Sequence, residues 1–124
     1  MSTIQDSIAA DNAEQAEDVV IVLTTWPESG AADVTARAIV EARLAACVTR
    51  LPRHHVVYRW QGVVEHAEEH QWVIKTTRRV LPPLWDAVRA AHPYDTPEWI
   101  VITAAGGSDA YLRWVRESTA HPGN

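Results

Sequence analysis

Two short segments concentrate the residue types that do chemistry. The first is His92-Pro93-Tyr94-Asp95-Thr96-Pro97-Glu98. Each proline biases the residue before it toward extended backbone, so the segment presents His92, Tyr94 and Asp95 with little conformational freedom, followed at once by Glu98. An imidazole beside carboxylates can hold Cu(II) or Zn(II), or can serve as an acid–base pair. His92 and Glu98 are therefore candidate metal ligands, and Tyr94 and Asp95 candidate ligand contacts. The same residues also suit a plain connector stiffened by prolines, with Glu98 bonded to backbone or paired with Lys75 or an arginine.

The second segment, His66-Ala67-Glu68-Glu69-His70, spells the H-x-x-E-H string of one class of zinc proteases. That chemistry needs a helix, which sets both histidines one turn apart on one face. Here the string follows a glycine turn and precedes a strand-like run, so it reads as coincidence, leaving at most an adventitious surface site. His54 and His55 are adjacent in a strand-like run and must point to opposite faces, which rules out a chelating pair. Cys47, among alanines and valine, reads as a packed thiol. Lys75 is the only lysine and sits in an apolar run, where it could reach Glu98 or an anionic ligand. Trp60, Trp72 and Tyr58 suit an interface, and Trp60 and Tyr58 in second place a cleft wall. No phosphate-cradling glycine loop, nucleophile elbow or paired-cysteine motif occurs.

Composition narrows the class. A chain of 124 residues with 47% hydrophobic content supports one core. One cysteine excludes an internal disulfide and Cys-rich metal sites, which fits a reducing, cytoplasmic setting. No signal peptide or membrane-spanning run is legible, so no membrane association is expected. The net charge of −5 arises in the first eighteen residues, which hold five acidic and no basic side chains. From residue 19 onward the charges balance and the arginines form no stripe, so the basic footprint of nucleic-acid binding is missing.

The elements that must position these residues follow from pattern. Residues 1–18 are too polar to offset the entropy of ordering and read as a disordered acidic tail. The run 19–23 is β-branched and nearly continuous, as in a buried central strand, and Trp26-Pro27-Glu28-Ser29-Gly30 stops it. Apolar positions at helical spacing predict a helix over 31–46. Residues 47–60 and 63–77 read as one long hairpin turning at Gln61-Gly62. Leu81, Leu84, Trp85, Val88 and Ala91 predict a second helix, with Pro82 and Pro83 in its first turn. Residues 99–103 read as a last strand, and Ser108 can cap a terminal helix. The order β-α-β-β-α-β plus a helix is the split β-α-β arrangement of α+β domains, here over 19–119 with a flexible end at 120–124.

Several segments carry a family resemblance. Arg43-Leu44-Ala45-Ala46-Cys47-Val48, Tyr58-Arg59-Trp60-Gln61-Gly62, Ile74-Lys75-Thr76, the link from His92 to Glu98 and Tyr111-Leu112-Arg113-Trp114 together resemble the signatures of the CutA divalent-cation tolerance family. The resemblance implies a ferredoxin-like domain in a tight homotrimer, similar in shape to the PII signalling proteins, with long hairpins pairing across subunits. A hairpin this long needs cover for its unpaired outer edges in any case. The sequence departs from the family at Thr49, Val56 and Asp95, and Thr24 stands where some members carry a cysteine proposed to bind copper. A hydroxyl is a poor copper ligand.

The leading expectation is a non-enzymatic trimer whose intersubunit clefts, lined by Tyr58, Trp60, Lys75, His92, Tyr94, Asp95 and Glu98, bind a divalent cation such as Cu(II) or a small regulatory ligand, with no cofactor required. Its rivals are a small hydrolase or lyase using His92 with Glu98 or Asp95, and a purely structural or signalling trimer.

Overall fold

The computed structural model describes residues 15–27 and 30–121. Its framework is β1 (Val19–Trp26), α1 (Gly30–Glu41), β2 (Cys47–Arg50), β3 (His54–Trp60), β4 (Val63–Thr77), α2 (Leu81–Ala91), β5 (Ile100–Thr103) and α3 (Asp109–Ser118), with a 3-10 turn at Arg78–Val80. All pairings are antiparallel, in the order β2-β4-β1-β5, and β3 extends the sheet by pairing with the far end of β4. This is the ferredoxin-like α+β topology expected from the element order.

Period-two alternation assigns the two faces of the sheet. Val22, Trp26, Trp72 and Ile74 point to one face, where Ile39 of α1 and Leu84 and Val88 of α2 close over them as the main core. Trp26 and Trp72 stack with ring centroids 4.5 Å apart and both are fully buried, so Trp72 belongs to the core rather than to the interface expected for it, because its side chain falls on the helix-covered face. Each indole contributes about 4–6 kcal/mol of gross hydrophobic stabilisation at the usual area coefficient. On the other face, α3 covers only one end, packing Val115 and Leu112 against Val19 and Ala46. Beyond α3 that face stays half-open: Ile21, Leu23 and Val73 are partly exposed, and Ile100 and Ile102 are 50% and 45% exposed.

Three elements depart from expectation, each for a local reason. The first helix ends at Glu41, not at residue 46. Arg43 takes φ 62°, and the bonds Arg43 N–H to Val40 O and Leu44 N–H to Ile39 O form a Schellman stop. The stretch 47–60 is two strands rather than one. Proline 52 offers no N–H to a ladder, and three residues (Leu51, Pro52, Arg53) face two (His70, Gln71), a bulge that divides β2 from β3. The last strand begins at Ile100, while Trp99 turns into the core. The hairpin tip is as read: Gln61 and Gly62 have φ 50° and 81°, the type I′ signature.

The terminal segments are more firmly held than their composition suggests. Residues 15–18 form a turn, and Arg78 and Arg79 donate backbone N–H bonds to Asp18 O and Ala16 O. The nearly buried Arg79 guanidinium pairs with Glu17 and donates to Ala120 O at 2.6 Å, to Arg116 O and to Thr119 Oγ1. Ala120 N–H donates to Arg43 O at 2.8 Å. The ordered body thus takes in residues 15–18 and 120–121, because Arg79 supplies donors that composition cannot foresee. The rest of both expected tails, 1–14 and 122–124, lies outside the described residues.

Candidate functional site

The type I′ turn fixes the hairpin register, setting Tyr58 opposite Glu65, Val56 opposite Ala67 and His54 opposite Glu69. One face of the hairpin therefore carries Trp60, Tyr58 and Val56 together with Glu65 and Glu69. The link after α2 folds back toward this face. Between them lies a cleft of about 540 Å³, lined by Tyr58, Trp60, Glu65 and Glu69 of the hairpin, Thr25 of β1, and Tyr94, Asp95 and Glu98 of the link, with Val56, Pro93 and Thr96 completing its walls.

The charge in this cleft has one sign. Its described lining holds four carboxylates and no lysine, arginine or histidine. Tyr94 Oη donates to Glu69 at 2.8 Å and Tyr58 Oη donates to Glu65 at 3.3 Å. Glu69 is only 7% exposed, yet no cation pairs with it among the described residues. Burial, then the hydrogen bond to Glu69 and its negative charge, push the Tyr94 phenol up to about 12. Tyr58 is also raised, chiefly by burial and then by Glu65. Both tyrosines therefore stay protonated at neutral pH, as donors rather than as bases or anionic ligands. Gln71 positions Glu98 by donating to its Oε2 at 2.7 Å, with a second bond to Thr24 O at 2.9 Å.

Of the seven residues singled out in the sequence, Tyr58, Trp60, Tyr94, Asp95 and Glu98 meet in this cleft. His92 and Lys75 do not. The His92 ring is buried behind the cleft, 4.3 Å from the Trp26 ring, with Nε2 2.7 Å from Thr25 O and Nδ1 accepting from Tyr94 N–H at 3.0 Å. That arrangement is the neutral tautomer protonated at Nε2, and both nitrogens are occupied. The expected His92–Glu98 metal pair does not form, nor does a His92 acid–base couple with Glu98 or Asp95; the histidine instead locks the start of the link. Lys75 extends over the Tyr111 ring, 5.9 Å from its centroid, four residues along β4 from Gln71. At about 3.3 Å per residue its backbone stands about 13 Å along the strand from that of Gln71, the residue that holds Glu98.

Thr24 is fully buried on the helix-covered face, with Oγ1 unpartnered, so it takes no part in the cleft, which Thr25 lines from the opposite face. Cys47 is half-buried rather than packed away. The H-x-x-E-H string lies on extended β4, with His70 Nδ1 2.9 Å from Leu51 O and Glu69 turned to Tyr94. Among the described residues no three of His, Cys, Asp and Glu converge closely enough to hold a metal ion.

Sequence reasoning missed Glu65, Glu69 and Gln71. The first two carried a usable signal, since a two-residue turn at Gln61-Gly62 places Glu65 directly across from Tyr58 and Glu69 four residues along the same face. Gln71 carried none, because its partner arrives from a distant loop.

Comparison with known proteins decides the family. The sequence model described as CutA1 divalent ion tolerance protein matches residues 20–118. The chain belongs to the CutA divalent-cation tolerance family. A divalent-cation tolerance protein CutA from Thermus thermophilus is 43% identical over 99 residues, covering 80% of this chain and 96% of that protein. A chloroplastic CutA protein from Arabidopsis thaliana is 39% identical over 113 residues, covering 91% of this chain but 62% of that longer relative. The solved divalent cation tolerance protein of Thermus thermophilus superimposes with a TM-score of 0.79 at 42% identity, over 82% of this chain and 99% of the other. No helix among the described residues is long and apolar enough to cross a membrane.

Proposed function

We propose that this CutA-family chain is a non-enzymatic, cytoplasmic homotrimer that binds a divalent cation or a small regulatory ligand in the hairpin cleft and so contributes to divalent-metal tolerance. The observation that carries the binding assignment is the one-signed lining of the cleft, in which the buried Glu69 carboxylate lacks a counter-charge among the described residues. A buried charge is costly until a cation joins it. Because no three donors converge among the described residues, the cation takes one or two carboxylates and completes its shell with water or with a neighbouring copy. The half-open sheet face with Ile100 and Ile102, and the outer edge of β3, favour cover by further copies of the same chain. The engaged nitrogens of His92 and the protonated tyrosines favour binding over catalysis.

Calorimetric titration with Cu(II) and Zn(II) tests this reading. Saturable uptake by the wild type, weakened about tenfold in Glu98→Gln through loss of one charged ligand, is expected. Uptake that ignores Glu98, or none at all, removes the metal assignment.

A further inference from the structure

The shape and lining of the cleft suit a different cation better than a bare metal ion. We propose that it selects an aliphatic polyammonium ion, with its ammonium groups on Glu69, Glu65 and Glu98 and its methylene chain across Trp60, Tyr58 and Tyr94. This deepens the cleft reading above and rests on it.

Three observations lead there. First, a space of about 540 Å³ is the size of a small-molecule pocket, whereas no three metal-ligating side chains converge among the described residues. Second, the carboxylates are strung out rather than gathered: Glu65 and Glu69 lie four residues apart on one face of an extended strand, about 13 Å at 3.3 Å per residue. A compact ion touches one of them, while a chain carrying several ammonium groups spans both. Third, three aromatic side chains stand among the acids with substantial accessible surface, Tyr58 at 39%, Trp60 at 45% and Tyr94 at 36%. Aromatic faces attract ammonium groups and take up methylene surface, and neither property helps a hydrated metal ion.

Glu69 is the anchor. More than nine-tenths buried, it lines the cleft and accepts from the neutral Tyr94 hydroxyl; His54 stands opposite it across the ribbon, but no ion pair to Glu69 forms among the described residues. An ammonium group supplies both the charge and the N–H donors that this carboxylate lacks.

The test is calorimetric titration of the full chain with spermidine at low ionic strength, alongside butylamine as a single-charge probe and Zn(II) as the metal probe. The expected result is saturable binding of one spermidine per chain, clearly tighter than butylamine. Both Glu69→Gln and Trp60→Ala should weaken it about tenfold or more, with the thermal midpoint of the exposed-site variant Trp60→Ala unchanged. Spermidine binding no tighter than butylamine, or insensitive to both substitutions, overturns the proposal. Zinc uptake without spermidine uptake sinks the polyammonium assignment and leaves the cleft as a metal site; failure of both ligands sinks the cleft reading itself.

Discussion

One strand lives in two environments. From His70 to Thr77, β4 is paired with β1, and Cys47–Arg50 of β2 flank its other side, with Trp72, Ile74 and Thr76 fully buried. From Val63 to Glu69 it pairs with β3 alone, and Val63 and Val64 are 57% and 60% exposed. The inner half is fixed by a core within the same chain. The outer half is a two-stranded ribbon, marginal on its own in water, and its register rests on the turn. The contrast bears on the cleft: the rigid half supplies Gln71, which orients Glu98, while the ribbon supplies the cleft wall and, at β3, an outer strand edge unpaired among the described residues.

Substitutions should separate the halves. The largest effect is expected for Trp72→Ala, which empties the stacked pair at the centre of the core; chemical denaturation should show a loss of about 3–5 kcal/mol. Next comes Ile102→Glu on the half-open face. It should abolish assembly, seen as a smaller mass in light scattering, because a charge there has no partner once covered. Gly62→Ala is expected to cost about 1 kcal/mol. No neighbour lies within 4 Å of the added methyl, so the cost comes from φ +81° alone. A loss as large as that of Trp72→Ala would mean that the ribbon is as tightly specified as the core.

The smallest effect is one of pH. The Tyr94 phenol in the folded protein is raised from 10.0 to about 12, so folding favours its protonated form. Its contribution is full below about pH 10 and fades as pH rises through about 12. Ultraviolet titration of the phenolate, compared between wild type and Tyr94→Phe, should show one tyrosine ionising late. Because Tyr94 is 36% exposed, water screens the effect and the change in stability should be small.

Much of this was legible in the residue order, and the failures are physical. Alternating and helical periods exposed each helix and all the strand-forming stretches, though not the division of 47–60 into two strands, and Gln61-Gly62 revealed the turn. Periodicity cannot see a Schellman stop when alanines continue the stripe through Ala46, so the end of the first helix was overrun. Pro52 was visible, but the β-branched residues around it hid the break it makes. In the cleft, five residues were found because they cluster near the turn or between prolines. His92 was misread because its polar tip looks available in sequence, whereas Thr25 O and Tyr94 N–H claim both nitrogens in space. Lys75 was misread because a strand-like run does not say which neighbour a side chain meets, and in space this one lies over the Tyr111 ring.

The central claim is that the half-open sheet face and the outer ribbon are completed by sister chains. Native mass spectrometry of the purified protein at micromolar concentration tests it most directly. The account predicts a dominant species of three 13.8 kDa chains. A stable, folded single chain with that face open to water would contradict it.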